Sequence, residues 1–134
     1  MKGVFHVPGE AEGSALKLAA PLSFWGGVEA ESGTIIDRSQ PHFGAQLRGK
    51  VLVMPSGRGS SSSSSVLAET IRNGLGPVAI VLERPDPIIT AGAMVARSLY
   101  GIVCVVVVCP IEAIRDGETV RITENEDGAL VELR

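Results

Sequence analysis

The sequence predicts an α/β protein with a mixed sheet or barrel and two main helices, folded as a single domain over residues 1–134. Three strand-like segments alternate with two helix-like segments in the central part of the chain, and this order implies parallel pairing of the strands. The chain is 45% hydrophobic but only 4% aromatic, and it contains 16 glycines. These values are typical of a compact aliphatic fold with many turns.

The two ends of the chain are predicted to be mostly strand. Residues 4–7 and 15–19 read as short strands joined by a Gly/Glu turn, and residues 34–37 form another after a Ser-Gly turn. At the other end, alternating apolar residues flank Asp127-Gly128, which predicts a β-hairpin.

The central part supplies the alternation of strand and helix. Residues 50–54 and 77–82 read as buried strands, and residues 102–108 are apolar throughout, which indicates cover on both faces. Between them, the apolar spacing of residues 66–73 predicts a first helix, and the segment IITAGAMVARSLYG, residues 88–101, predicts a second.

Charge and cysteine content exclude several classes of protein. The net charge of −3 gives no electrostatic reason to expect nucleic acid or an anionic membrane. The longest apolar run, GIVCVVVVCPI, is too short for a membrane-spanning helix, and no signal peptide is visible. Cys104 and Cys109 lie five residues apart and should point to opposite faces of a strand, so we expect two buried thiols and a cytoplasmic location.

The segment SGRGSSSSSS allows three interpretations. A flexible linker fits its composition, but its position between a buried strand and a helix favours an ordered turn. A helix start explains one serine, Ser64 or Ser65, as the N-cap. An anion site explains more, because glycines allow close approach, helix amides favour negative charge, and Arg58 can hold a carboxylate or phosphate. The spacing does not fit a nucleoside-triphosphate loop.

Other candidate residues point to no second site. Neither His6 nor His42 stands in a recognisable catalytic context, so no Ser-His-Asp arrangement is predicted, and two cysteines with two scattered histidines give no zinc spacing. Asp86 is interpreted as a turn or cap residue. Trp25 either anchors the core or lines a pocket beside the glycine pair that follows it.

Three blocks carry a family resemblance: PLSFWGGVEAESGTIID, GKVLVMPSGRGSSSSSSVLAE and ITAGAMVARSLYG, in this order. Together they resemble the small subunit, or swivel domain, of the aconitase X family, over nearly the whole chain. The resemblance implies a swivelling β/β/α barrel-like domain. It also implies a dehydratase whose active site lies between this domain and a larger part that carries the iron–sulfur cluster, so this chain would bind no cofactor alone and would need a large subunit.

The resemblance also assigns site residues. The family's catalytic serine corresponds to Ser60, which would remove a proton from the substrate carbon, and Arg58, Gly59 and Ser61 would line the same pocket. One position departs from the family pattern, because the loop after IID often carries His-Pro, whereas Gln40 precedes the proline here. No role for a histidine at that position is therefore carried over.

The substrate remains open between two members of the family. The GRGSSSSSS block resembles the bacterial type, which implies cis-3-hydroxy-L-proline as substrate, whereas the archaeal type acts on 5-phosphomevalonate. Two other functions compete with a dehydratase subunit. One is a non-catalytic anion-binding or regulatory module that uses the same serine segment. The other is a mobile carrier domain, for which only His42 could be the phosphorylated residue.

Overall fold

The computed structural model describes residues 1–134, and it confirms the mixed α/β architecture predicted from the sequence. The strands are β1 Lys2–Val7, β2 Ala11–Lys17, β3 Val28–Glu29, β4 Thr34–Ile35, β5 Lys50–Met54, β6 Ala79–Leu82, β7 Val105–Val108, β8 Thr119–Asn125 and β9 Gly128–Leu133. Seven of them form a closed barrel in the order β1-β7-β6-β5-β2-β8-β9, and β3 and β4 form a separate two-stranded sheet. The helices are α1 Phe24–Gly27, α2 Ser62–Arg72 and α3 Pro87–Tyr100.

The centre of the barrel is the parallel sheet that the sequence predicts. β5 pairs in parallel with β6, and β6 pairs in parallel with β7. β2 adds a fourth parallel strand on the other side of β5, while its other neighbour, β8, is antiparallel. The two ends of the chain close the barrel, because β1 pairs antiparallel with both β7 and β9.

The barrel strands divide their side chains between two cores. Val51, Ala79 and Val105 are cross-strand partners and belong to the core inside the barrel. The next residues along each strand, Leu52, Ile80 and Val106, belong to the core between the barrel and the helices. This alternation follows from the two-residue period of a strand, and it explains why the central strands are apolar at every position.

Helices α2 and α3 cover the outer face of the sheet with small and aliphatic residues. The predicted cap residue Asp86 is confirmed as the N-cap of α3, because its Oδ1 accepts hydrogen bonds from the backbone amides of Ile88 and Ile89 at 2.9 and 3.1 Å. Gly101 ends this helix in the left-handed conformation, with φ of 68°. None of the helices is both long enough and apolar enough to cross a bilayer.

Several predicted boundaries are wrong. α2 begins at Ser62 rather than at Val66, and its N-cap is Ser61 rather than Ser64 or Ser65. The cap makes no side-chain hydrogen bond, so local capping chemistry did not reveal the start. Instead, Ser63 is buried in the first turn and accepts a hydrogen bond from the Trp25 amide in α1, a tertiary contact that holds this extra turn in place. β2 lies four residues earlier at its start than predicted, and β4 is two residues shorter.

Candidate functional site

The candidate site lies at the end of β5, in the segment that leads into α2. We refer to residues 57–61 as the serine turn. Gly57 forms an isolated parallel bridge with Leu22, and the amide of Arg58 donates to the Leu22 carbonyl oxygen at 3.2 Å. The serine turn is therefore held against the loop that carries the SFWGG block, and it is an ordered part of the fold rather than a linker.

The glycines of the serine turn are required by contacts within the chain. Gly59 has φ of 107°, and a Cβ atom there would lie 2.6 Å from Ser23 Oγ and 3.1 Å from Ser63 Oγ. A Cβ atom on Gly57 would lie 2.5 Å from Asp86 Oδ2. The space that a Cβ atom would need at each glycine is therefore taken by another side chain of the protein. The expectation that these glycines allow a ligand to approach the backbone explains only part of their presence.

The serines of the run have different environments. Ser63 is buried, accepts a hydrogen bond from the Trp25 amide at 3.2 Å, and lies 3.4 Å from Ser23 Oγ. Ser64 donates to the Ser61 carbonyl oxygen at 2.7 Å. The remaining hydroxyls make no hydrogen bond within the chain and their residues are exposed: Ser60, Ser61, Ser62 and Ser65. The run thus combines two structural serines with four that face solvent.

The backbone of the serine turn presents free donors. The amides of residues 59–62 donate to no acceptor within the protein. They precede or begin an 11-residue helix, whose N-terminus carries a positive partial charge. The exposed side chain of Arg58 lies in the same segment. This arrangement favours an anion beside the hydroxyl of Ser60.

A cavity of about 410 Å³ opens beside the serine turn. Its lining residues are Ser23, Trp25, Gly26, Gly27, Asp37, Arg58 and Gly59. Two of the predicted site residues, Arg58 and Gly59, are therefore in the lining. The other two, Ser60 and Ser61, follow directly in the chain at the exposed start of α2 and are not part of the lining.

Trp25 lines the cavity and does not anchor the core. It is 64% exposed, whereas its neighbour Phe24 is fully buried. The core interpretation of Trp25 is therefore wrong, and the pocket interpretation is confirmed. The backbone around the indole is fixed on both sides, because the Trp25 carbonyl oxygen accepts from Ser23 Oγ at 2.9 Å and its amide donates to Ser63.

Asp37 is a member of the cavity that sequence reasoning did not single out. The hydroxyl of Ser39 donates to Asp37 Oδ1 at 2.6 Å and its amide at 2.9 Å, and these bonds lower the pKa of the Asp37 carboxyl. The positive charge of Arg58 acts in the same direction. The only signal in the sequence was the position of this residue at the end of the IID block.

The two histidines lie outside this cavity. His42 Nε2 is 3.0 Å from the Lys17 carbonyl oxygen and 3.4 Å from Asp116 Oδ1, and it lines a different cavity. His6 lies on β1 and lines another cavity with residues of α3. Neither histidine lines the cavity beside the serine turn, in agreement with the expectation that the sequence contains no Ser-His-Asp arrangement. Gln40 is buried and donates from Nε2 to the Pro21 carbonyl oxygen at 3.1 Å, which gives this departure from the family pattern a structural role.

The donor set of this chain does not fit an iron–sulfur cluster. Cys104 faces the core beneath the helices, whereas Cys109 faces the interior of the barrel. Burial raises the pKa of the Cys104 thiol to about 12 and that of Cys109 to about 11, so neither is readily available as a thiolate ligand. No group of three or more His, Cys, Asp and Glu residues is placed to hold a metal ion.

Comparisons with known proteins agree on one family. The model described as aconitase X swivel domain matches residues 1–132. The chain is 48% identical over 95 residues to a cis-3-hydroxy-L-proline dehydratase of Pseudomonas aeruginosa, which is 71% of this chain but only 16% of that protein. It is 35% identical over 135 residues to the phosphomevalonate dehydratase small subunit of Methanocella arvoryzae, covering 99% of this chain and 98% of that subunit.

A solved structure has the same fold over nearly the whole chain. Aconitase X of Thermococcus kodakaraensis in its holo-form superimposes with a TM-score of 0.87 at 32% identity, covering 99% of this chain and 96% of that chain. The swivel-domain architecture expected from the sequence is thereby confirmed. The chain spans only 16% and 17% of the length of the cis-3-hydroxy-L-proline dehydratases of P. aeruginosa and Hypocrea jecorina.

Proposed function

The chain belongs to the aconitase X swivel-domain family, and from this premise we propose that it is the small subunit of a two-chain dehydratase that removes water from a small hydroxy acid. cis-3-Hydroxy-L-proline is the proposed substrate, in line with the higher identity to the P. aeruginosa enzyme. The observation that carries the proposal is the row of free amides beside Arg58, at the exposed and unbonded hydroxyl of Ser60.

Ser60 is the proposed base of the reaction. Its oxygen takes a proton from the substrate carbon, the electron pair of that C–H bond forms a C=C bond, and the C–O bond breaks as hydroxide leaves. The proton and the hydroxide together make one water. A serine oxygen accepts a proton in this way only if its alkoxide form is stabilised. The helix N-terminus and the guanidinium of Arg58 supply the positive field that this requires.

A large subunit is needed to complete this site. The proposed base and the cavity beside it are open to solvent, and no group of three or more His, Cys, Asp and Glu residues is placed to hold a metal that could receive the leaving hydroxide. We propose that the partner chain covers the site and that it holds any iron–sulfur cluster of the complex, because the cysteines of this chain do not fit one. A cytoplasmic location remains a prediction from the cysteine content.

Substitution of Ser60 tests the assignment of the base. In the complex with the large subunit, Ser60→Ala should lower kcat by roughly 10²–10⁴-fold, the usual contribution of a positioned acid–base group. Folding of the subunit should be unchanged, because the Ser60 side chain is exposed and its hydroxyl makes no hydrogen bond within the fold. The matched control is Ser65→Ala, which removes another exposed, unbonded hydroxyl five residues further along, in the first turn of α2. Activity retained in Ser60→Ala would refute the proposed role.

Phosphomevalonate is the second candidate substrate. The match to the M. arvoryzae small subunit extends over 99% of this chain, which is the observation that favours it. Assaying the reconstituted complex against cis-3-hydroxy-L-proline and 5-phosphomevalonate side by side decides between them.

A non-catalytic anion-binding module is the third candidate, because the free amides alone could hold a carboxylate or a phosphate. Calorimetry on the isolated chain separates it from a shared active site. Tight binding of a small carboxylate or of inorganic phosphate without a partner would favour the module.

A further inference from the structure

The cavity beside the serine turn contains one carboxylate and one guanidinium, and neither is neutralised by the other. Asp37 and Arg58 both line it, yet neither takes part in an ion pair within 4 Å. Asp37 Oδ1 is occupied by Ser39, whereas Oδ2 has no hydrogen-bond partner. The cavity therefore offers one free negative acceptor and one free positive donor group to a ligand.

The third feature is the exposed indole of Trp25 in the same lining. A tryptophan face is the best aromatic partner for a cationic group, and this one is held by two hydrogen bonds of its own backbone. The glycine that follows carries no side chain, and a Cβ atom built on Gly26 would meet nothing within 4 Å. The indole thus borders open space into which a ligand can be placed.

We propose that this cavity binds a zwitterionic amino acid, with the carboxylate at Arg58 and the free amides of the serine turn, and the ammonium between Asp37 and Trp25. The inference rests on the proposed dehydratase function and assigns recognition of the substrate's ammonium group to two residues of this chain. Asp37 and Trp25 become the residues that select such a substrate.

The balance of charge in the cavity supports an amino acid over a phosphate ester. One positive and one negative side chain match a ligand that carries one charge of each sign. A hydroxy acid that also bears a phosphate would bring two anionic groups to a single guanidinium, and one of them would meet the carboxylate of Asp37. Like charges brought together in one cavity disfavour binding, so the carboxylate of Asp37 attracts an ammonium group and repels a second anionic group.

The ionisation state of Asp37 is consistent with this role. The hydrogen bonds from Ser39 lower its pKa, and Arg58 acts in the same direction, so the carboxyl stays charged at neutral pH. It is then available to pair with a secondary ammonium, a charge-assisted hydrogen bond of the stronger kind.

Two ligands of nearly equal shape test the inference without requiring turnover. L-Proline has the ring ammonium but no hydroxyl to eliminate, and tetrahydrofuran-2-carboxylate replaces the ring NH₂⁺ by an oxygen. Calorimetry on the complex with the large subunit should show that L-proline binds at least about tenfold more tightly, as expected when a charged hydrogen bond is lost. Equal binding of the two ligands, or no binding of either, would overturn the proposal.

Variants of Asp37 and Trp25 test whether these two residues cause the preference for L-proline. Asp37→Asn keeps an acceptor for Ser39 and should reduce the preference for L-proline to about threefold or less, whereas Asp127→Asn, in the turn of the β8–β9 hairpin, should leave it unchanged. Trp25→Leu should weaken L-proline binding by roughly three- to tenfold, while Trp25→Phe retains most of it. A preference that persists in Asp37→Asn would assign the ammonium to the partner chain and refute the role of Asp37.

The result of the ligand-binding experiment can be distinguished from the result of the dehydration assay. If the complex binds L-proline with the expected preference but releases no water from cis-3-hydroxy-L-proline, the dehydratase proposal fails and the amino acid site stands. If the complex dehydrates 5-phosphomevalonate and does not discriminate between the two ring ligands, the dehydratase proposal stands and the amino acid site fails.

Discussion

The interior of the barrel and the serine turn both depend on small side chains, but they place them against different neighbours. Inside the barrel, alanines and valines from facing strands pack on one another, and residues such as Val81 and Ile122 are fully buried. In the serine turn, Gly57 and Gly59 lie against side chains of the chain itself, while the backbone amides that follow stay free.

The difference shows how one chain separates stability from binding. Apolar burial stabilises the barrel in proportion to the area removed from water, and it leaves no group available for a ligand. The serine turn buries little, and its unpaired amides can be satisfied only by water or by a bound anion. Substitutions inside the barrel should therefore change mainly unfolding, and substitutions of the exposed serines in the serine turn should change mainly binding and catalysis.

The largest effect on stability is expected from Ile122→Ala in the barrel interior. Ile122 is fully buried inside the barrel. Its truncation to alanine leaves a cavity that the surrounding strands cannot move in to fill, so the free energy of unfolding should fall by about 2–5 kcal/mol. Ile122→Val, the matched control, should cost about 0.5–1.5 kcal/mol. Urea unfolding measures both. Equal costs for the two variants would mean that the interior is not tightly packed.

An intermediate effect is expected from Gly59→Ala. The substitution imposes an unfavourable backbone conformation and pushes a methyl group against Ser23 Oγ, so we expect about 1–3 kcal/mol of destabilisation and a large loss of activity in the complex. Gly117→Ala separates the two causes, since Gly117 also has a positive φ of 83° but open space around it. If both variants cost the same in thermal unfolding, crowding at the serine turn contributes nothing.

The smallest effect is expected from Asp86→Ala, at the N-terminus of α3 beside the serine turn. The side chain caps α3 and also lies against Gly57, so its removal should cost about 0.5–2 kcal/mol in denaturant unfolding. Asp86→Asn keeps the cap and should be nearly neutral. A wild-type free energy of unfolding in Asp86→Ala would show that α3 begins without this cap.

The central strands and α3 could be predicted from the sequence because the spacing of their apolar residues directly reflects which side chains are buried. The apolar run of β5 was placed correctly at Lys50–Met54, and α3 was located to within one residue. The start of α2 could not be predicted, since serines have modest helix propensity and Ser63 is held there by a loop nearly forty residues away in sequence.

The candidate site was predictable only in part, because it too depends on contacts between segments that are separated in sequence. The serine turn stood out by composition, but the sequence could not tell which of two adjacent aromatic residues enters the core. Phe24 does so, and Trp25 is left at the cavity. Asp37 lines the same cavity as Trp25 because of the way the chain between them folds, an arrangement that no local pattern encodes.

The pairing of the first strand with the last has a consequence for the order of events during synthesis. β1 has only β7 and β9 as partners, so it leaves the ribosome roughly 100 residues before either of them, a delay of about 5–20 s at ordinary rates of translation. Contacts this distant in sequence also form slowly. The nascent β1 must therefore wait as an unpaired edge, and barrel closure should be the last step of folding.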